Sequence, residues 1–138
     1  MARNIITLNR GDTFDFYITA YEHESGNLAE IAIEGDIIEF KVLYPNQDYF
    51  DADENIPIVK RYEVKSNRLS DTLRCVINIE HWDTINLKPG VYYYTVKLKR
   101  PLSDQIQEQL KEQLENVPID QRAQFATVIN KTKFILNN

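Results

Sequence analysis

The sequence predicts an all-β fold, an antiparallel β-sandwich with one helical insertion at about residues 103–117, before the last strands. Short apolar runs alternate residue by residue with polar positions, and clusters of turn residues separate these runs. Helical periodicity occurs only in the insertion, so helices do not alternate with strands as they do in parallel α/β folds. A partly closed barrel is the alternative that the same pattern allows. The length of 138 residues predicts one domain over residues 1–138.

The first half of the chain holds four predicted strands. They cover residues 14–20, 28–33, 38–42 and 58–64. Turns are marked by Gly11 and Gly35, and Pro45 ends the third strand because proline lacks the amide hydrogen that a ladder needs. Residues 46–55 contain four acids and no base, which predicts a solvated loop. Lys60 interrupts the apolar face of the fourth strand and makes it a weaker one.

The second half holds further strands of the same kind. They cover residues 73–79, 91–98, 125–129 and 133–136, with turns at 66–68 and 130–132. A connection with one helical turn is predicted for residues 81–88. The apolar faces of the alternating strands predict a core between two sheets. Its expected members are Phe16, Ile18, Phe40, Val42, Cys75, Ile77, Tyr94 and Val96.

The segment around Gly90 favours an immunoglobulin-like sandwich. In such folds a tyrosine near the start of strand F ties the preceding corner to the sheet and lies two positions before a cysteine. Tyr92 takes the tyrosine position and Tyr94 the cysteine position. We therefore expect Gly90, Tyr92 and Tyr94 to form a structural corner, with the Tyr92 hydroxyl bonded to the segment 81–88.

The helical insertion, which occupies residues 101–124 with its connections, is the candidate for contacts with other proteins. Ser103 is the expected N-cap and Pro118 stops the helix. One narrow apolar stripe follows the helical spacing, and we expect it to contact a neighbouring subunit: Ile106, Leu110, Leu114 and Val117. Residues 101–120 contain five acids and one base, a net charge of −4. The alternative is that the stripe only docks on the sandwich and covers an edge strand.

Composition and motifs argue against nucleic-acid binding and catalysis. With 16 basic and 21 acidic residues the net charge is −5, whereas DNA binding needs a cationic face. His23 and His81 have no second ligand at metal spacing, and Asp51-x-Asp53 lacks the glycine and glutamate of an EF-hand loop. We expect no enzyme activity, no metal and no cofactor. We also expect no membrane partner, because no segment approaches the roughly 20 apolar residues that span a bilayer.

The aromatic residues leave one further class of function open. Eight tyrosines and six phenylalanines are compatible with a carbohydrate-binding module, since Tyr17, Tyr21 and Tyr93 fall on outer strand faces. An outward aromatic row is equally a protein-contact surface, because tyrosine is enriched at interfaces. A metal-assisted hydrolase is the remaining alternative, and it would need a buried cluster of histidine, carboxylate and metal.

The order of several motifs resembles a family of phage structural proteins. The motifs are residues 8–14 (LNRGDTF), 35–42 (GDIIEFKV), 83–96 (DTINLKPGVYYYTV), 127–129 (TVI) and 133–136 (KFIL). Together they resemble the immunoglobulin-like N-terminal domain of phage baseplate upper proteins and related small immunoglobulin-like virion proteins. The resemblance covers most of residues 4–99 and the final strands.

This resemblance implies a non-enzymatic bacteriophage virion protein that is made in the bacterial host cytoplasm and acts through contacts with capsid or tail subunits. One such domain with a helical insertion is more similar to a capsid auxiliary protein, of decoration or head-fibre type, than to a tail adaptor. We therefore expect a capsid auxiliary subunit, with a tail or baseplate adaptor of the same fold as the alternative. Homo-oligomerisation stays open.

Overall fold

The computed structural model describes residues 5–19, 34–65 and 74–138. Within them the prediction of a mostly β fold is confirmed. The strands are β1 (Ile6–Asn9), β2 (Phe14–Thr19), β3 (Ile37–Leu43), β4 (Ile58–Glu63), β5 (Arg74–Ile79), β6 (Gly90–Pro101) and β7 (Ala123–Asn137). The helices are α1 (His81–Thr84), which is the predicted single turn, α2 (Asp104–Gln109) and α3 (Lys111–Leu114). The predicted strand at 28–33 and the predicted turn at 66–68 lie outside the described residues.

The strands form a five-stranded sheet in the order β1-β7-β6-β3-β4 and a two-stranded sheet of β2 and β5. All neighbours are antiparallel except β1 and β7, which are parallel, so the prediction of a purely antiparallel fold is wrong at β1. The chain leaves β1 at Asn9, turns at Gly11 and enters the other sheet as β2. β1 and β2 therefore do not form a hairpin, and β1 pairs with β7 at the edge of the five-stranded sheet.

One apolar cluster draws side chains from both sheets, as the alternation predicts. Six of the predicted core residues are buried: Ile18, Phe40, Val42, Ile77, Tyr94 and Val96. Phe16 is only half-buried, but its ring lies 5.7 Å from that of Phe40 and 5.3 Å from that of Tyr94. The side chain of Cys75 lies outside the described part of the structure.

β7 is continuous over 15 residues, so the predicted turn at 130–132 is wrong. The register against β6 shifts twice, from Tyr94–Thr132 to Val96–Ile129 and again before Thr127. Each shift fits one extra residue of β7 into a bulge. Asn130, one of the predicted turn residues, lies at the first shift, and its Oδ1 accepts the N–H of Lys131 at 2.8 Å.

Candidate functional site

The segment between β6 and β7, residues 102–122, is called the arm below. The prediction of one helix over 103–117 is wrong, because α2 and α3 are separate and Leu110 between them leaves the helical region at φ −102° and ψ 20°. The start is as predicted, with the Ser103 hydroxyl accepting the N–H of Ile106 at 3.2 Å. No residue of α2 or α3 is buried. A short helix without a buried face gains little from tertiary packing, which explains the break.

The four apolar residues predicted as assembly contacts all lie in the arm. Backbone bonds from Leu110 to Ile106, at 3.0 Å, and from Leu114 to Leu110, at 2.9 Å, preserve the helical spacing across the break. Ile106 and Leu110 are exposed, whereas Leu114 and Val117 are half-buried. Sequence reasoning missed Ile119, which is 79% exposed in a 3-10 turn at Ile119–Gln121.

Side-chain bonds to backbone oxygens hold the base of the arm against the sheet. Arg122 Nε donates to the carbonyl of Val117 at 2.9 Å, and Gln121 Nε2 donates to that of Phe50 at 3.1 Å. Lys99 Nζ of β6 donates to the carbonyl of Asp120. These bonds fix residues 117–122, while α2 and α3 project beyond them without a buried side chain.

The outer face of the five-stranded sheet carries a second arrangement that the sequence did not indicate. Glu39 and Lys41 alternate along β3 with core residues and carry charges, yet they are only 2% and 5% exposed. The loop of residues 44–56, called the loop cover below, lies over them. Its Tyr49 and Ile56 are buried with Leu43 in a separate apolar cluster. The prediction of a solvated loop is therefore confirmed for the exposed acids of residues 46–55 and wrong at Tyr49. The only indication in the sequence was the presence of Tyr49 within the acidic stretch and of Ile56 directly after it.

Charged groups beneath the loop cover pair with one another. Glu39 accepts hydrogen bonds from the Tyr49 hydroxyl and from Arg61 Nε, both at 2.7 Å. Arg61 Nη2 also donates to Asp53 at 2.7 Å, and Lys41 Nζ lies 3.4 Å from Asp53. Lys41 additionally donates to the Tyr49 carbonyl at 3.0 Å and lies over the Tyr49 ring. The five side chains therefore fasten the loop to the sheet.

The network shifts the ionisation of its members. Burial raises the pKa of the Tyr49 hydroxyl, and the negative charge of Glu39 raises it further, so Tyr49 remains a hydrogen-bond donor. For Asp53, partial burial acts to raise the pKa, but the hydrogen bond and charge of Arg61 and the charge of Lys41 outweigh it. The pKa of Asp53, which belongs to the loop cover, is therefore below its usual value, and its carboxylate stays charged beside Arg61 and Lys41.

A cavity of 220 Å³ lies between the loop cover and the base of the arm. Its apolar wall contains Phe50 and Phe125, whose rings meet edge to face at 5.1 Å. Glu39, Arg61 and Asp53 also line it, already bonded to each other. The volume is below the range of about 300 Å³ and more that is usual for small-molecule sites. We therefore interpret the cavity as a packing gap between the loop cover and the base of the arm.

The predicted corner is present as a hydrogen bond. The Tyr92 hydroxyl donates to the carbonyl of Lys88 at 2.6 Å, inside the segment that the spacing indicated. Partial burial raises the pKa of this hydroxyl, which favours the protonated donor. Tyr94 is buried, with its ring stacked 5.5 Å from that of Phe40, and Gly90 begins β6.

Replacing Tyr92 by phenylalanine should lower the free energy of unfolding by about 1 kcal/mol, because the Lys88 carbonyl loses its bonded donor. Tyr93→Phe is the matched control on the same strand, since no hydrogen bond of its hydroxyl occurs among the described residues, and it should change stability by less than about 0.5 kcal/mol. Urea unfolding measures both variants. Equal stability of Tyr92→Phe and the parent would contradict the corner.

The residues considered for catalysis or metal binding have structural partners where they are described. His81 Nδ1 lies 2.8 Å from the carbonyl of Gly11, and Asp83 accepts the N–H of Glu80 at 2.7 Å. Asp51 accepts the N–H of Asp48 at 3.1 Å. No group of three or more histidine, cysteine or carboxylate side chains within residues 5–19, 34–65 and 74–138 is arranged to hold a metal ion. His23 lies outside the described residues.

Comparison of the chain with protein-family models, with curated proteins and with solved structures gives no match. Among the helices of the described residues, none is long and apolar enough to span a membrane.

Proposed function

We propose that the chain is a non-enzymatic virion structural protein of a bacteriophage, a capsid auxiliary subunit that works through protein–protein contacts. The observation that carries this proposal is the arm. It extends from the end of the β6–β7 hairpin, none of the residues of α2 or α3 is buried, and Ile106 and Leu110 are exposed on it. Apolar side chains on a projecting segment that the domain core does not use favour a contact with another subunit.

The proposal also assigns the β-sandwich to the immunoglobulin-like class. Its support is the strand order β4-β3-β6-β7 beside the pair β2–β5, which corresponds to C′-C-F-G and B–E of variable-type domains. The bond from Tyr92 to Lys88 is the further support. The resemblance of the motif order to small immunoglobulin-like virion proteins links this fold to the particle.

Mass spectrometry of separately purified heads and tails of the parent phage tests the proposal. We expect the chain in heads, and reconstruction of the head should show its density on the outer surface. Its presence in tails alone would favour the tail or baseplate adaptor. Its absence from both would overturn the proposal.

Replacing residues 103–117 by a short Gly-Ser linker should leave the sheets folded and reduce incorporation into particles at least about tenfold, the loss of one apolar contact site. Folding is expected because Pro101 pairs with Ala123, so the linker joins neighbouring strands. Circular dichroism checks the fold, and gel densitometry of particles assembled with the variant measures incorporation.

A matched pair of variants separates the apolar stripe from the mere presence of the arm. Ile106→Ser with Leu110→Ser should reduce incorporation, whereas Gln105→Ser with Gln109→Ser, on exposed polar positions of the same segment, should not. If the linker variant is incorporated as well as the parent, the arm does not contact another subunit and only covers an edge strand.

A further inference from the structure

The β6–β7 hairpin and the arm that it carries have charges of opposite sign. The two strands contain no acidic residue and five basic ones: Lys97, Lys99, Arg100, Lys131 and Lys133. The part of the arm from Asp104 to Glu115, which holds α2 and α3, contains four acids and one base, a net charge of −3. Negative charge is therefore concentrated on the projecting segment, and positive charge on the strands beside it.

The acids of the arm are not neutralised by neighbours. Asp104, Glu108 and Glu112 occur at every fourth position, each two residues before a member of the apolar stripe, and all three are exposed. No ion pair joins them to another of the described residues. By helical spacing the carboxylates form a row on the side of the turns away from the stripe. A helix is only about 10–12 Å thick, so a lysine that rises beside the arm can approach the carboxylates of that row.

The other end of the same hairpin has an open apolar surface on the outer face of the five-stranded sheet. The register places Val91 of β6 beside Ile135 of β7, and Ile135 beside Thr7 of β1. Val91 is 45% exposed, Ile135 is half-buried, and Ile5, two residues before Thr7, is 55% exposed. We call the following residues the strand-end patch: Ile5, Val91, Tyr93, Lys131, Lys133 and Ile135.

Two lysines give the strand-end patch its charge. Lys131 Nζ lies 5.0 Å from the centre of the Tyr93 ring and donates to the Pro45 carbonyl at 3.3 Å. Lys133 lies opposite Tyr93 in the register and is exposed. Neither lysine pairs with a carboxylate among the described residues. The patch therefore combines apolar side chains with two positive charges that no acid offsets.

The arm of the same chain cannot reach this patch. The arm leaves β6 after Pro101, and the ten residues back to Val91 correspond to roughly 33 Å of strand. The segment from Asp104 to Leu114 is about 16 Å long at the helical rise. Residues 117–122 are bonded to the far end of the sheet. A contact between an arm and a patch therefore joins two chains.

We propose that the subunit contacted by the arm is a second copy of this chain, and that each arm binds the strand-end patch of the other copy in a two-fold dimer. This inference rests on the proposed function, which assigns the arm to a subunit contact, and it names the partner. Ile106 and Leu110 of one copy pack on the apolar side chains of the other copy's patch. Lys131 and Lys133 rise beside the arm toward its carboxylates.

The position of both surfaces on one molecule supports the two-fold arrangement. The base of the arm lies on the outer face of the sheet, because Lys99 of that face donates to the Asp120 carbonyl. The strand-end patch lies on the same face at the opposite end of the hairpin. Two copies that face each other in antiparallel orientation bring each arm to the other's patch. The contact then forms twice and the assembly closes, as in most symmetric dimers.

Charge disfavours the two simpler self-contacts. A patch-to-patch dimer would place Lys131 and Lys133 of one copy against the same residues of the other, and an arm-to-arm dimer would bring the carboxylate rows together. Opposed like charges weaken an interface, whereas complementary charges favour it. Among the three pairings of these surfaces, only arm to patch joins unlike charges.

Sedimentation velocity of the full chain, without particles, tests the inference. We expect a reversible dimer and no larger species, because a two-fold contact closes after two copies. Its dissociation constant should rise at least about fivefold between about 0.05 M and about 0.5 M NaCl, because salt screens the attraction. A chain that stays monomeric, or that forms species growing steadily with concentration, would overturn the proposal.

Charge-reversed variants identify the two surfaces. Lys131→Glu with Lys133→Glu makes the patch acidic, and Glu108→Lys with Glu112→Lys makes the arm basic. Each double variant opposes like charges and should dimerise at least about tenfold more weakly than the parent. The chain with all four substitutions opposes unlike charges again and should regain an affinity within about threefold of the parent. A patch-to-patch or arm-to-arm dimer would show no such recovery.

Two further variants complete the set. Ile106→Ser with Leu110→Ser should also weaken the dimer at least about tenfold, because the apolar contact is lost. Lys65→Glu is the control, since its side chain is 78% exposed and belongs to neither surface. Its dimer affinity should equal that of the parent. Circular dichroism confirms that each variant is folded.

The outcomes separate this inference from the proposed function. If the free chain is monomeric while Ile106→Ser with Leu110→Ser still lowers incorporation into particles, the arm binds a different protein and the second copy is wrong. If the reversed variants dimerise like the parent, or the folded chain with all four substitutions stays weak, the dimer does not join arm to patch. If the dimer behaves as expected but the chain is absent from heads and tails, the virion function fails and the inference stands.

Discussion

Truncating Phe40 to alanine is expected to lower the free energy of unfolding by about 3–5 kcal/mol, the range for a fully buried phenylalanine. The side chain is 0% exposed and lies on β3, which has β4 on one side and β6 on the other. Its ring packs against Phe16 of the two-stranded sheet and against Tyr94 of β6. Both sheets therefore lose contacts around the cavity that the truncation leaves.

Urea unfolding followed by circular dichroism measures the Phe40 effect. Phe40→Leu should cost less than about 1.5 kcal/mol, because most of the volume is kept. Phe50→Ala, at a side chain that is 40% exposed, should cost well under half as much as Phe40→Ala. If Phe40→Ala is no more destabilising than Phe50→Ala, the core is not centred on β3.

The strands that bury one face against the other sheet are the part of the fold that the sequence predicts. In β2, β3, β5 and β6 the period of two places Ile18, Phe40, Ile77 and Val96 in the same cluster. The alternation shows which face of a strand is apolar, because the face that packs in the core must be apolar in any arrangement of the strands. It does not record pairing direction, and the parallel edge strand β1 was accordingly not foreseen.

Burial that depends on distant segments was not predictable from local pattern. Glu39 and Lys41 have the charges of a solvent face, and only the loop cover, with its buried Tyr49, removes them from water. The turn chemistry of residues 130–132 is real, but pairing with the continuous strand β6 converts it into a bulge. In both cases a partner from elsewhere in the chain overrides a correct local preference.

Local sequence pattern predicts the arm but not the contacts around α1. The arm was predictable because its polar composition with one apolar stripe leaves little for the core to use, although the break at Leu110 was not. The contacts that hold α1 against the turn at residues 10–12 were not predictable. They are hydrogen bonds between Gly11 and Thr84 and between Arg10 and Ile85, and no spacing within either segment indicates them.

Arg61→Met is expected to lower the free energy of unfolding by about 3 kcal/mol, because it leaves the buried Glu39 carboxylate without its charged partner. The Arg61 side chain is 41% exposed and that of Glu39 is 3% exposed, so the two partners are not equivalent. Glu39→Gln should be milder, since Arg61 keeps Asp53 and reaches water. Lys65→Met, at a side chain 78% exposed, is the control and should change stability by about 0.5 kcal/mol or less.

The Arg61 effect should also depend on pH in a defined direction. Arg61 and Lys41 hold the pKa of Asp53 below its unfolded value of 3.8, so the stabilisation from this carboxylate is present above about pH 4 and lost as the pH falls through the folded pKa. The Arg61→Met variant lacks most of that contribution at every pH. The stability gap between parent and variant, measured by urea unfolding from pH 7 to pH 2, should therefore narrow on acidification. A gap that stays constant or widens toward pH 2 would show that Arg61 does not act through Asp53.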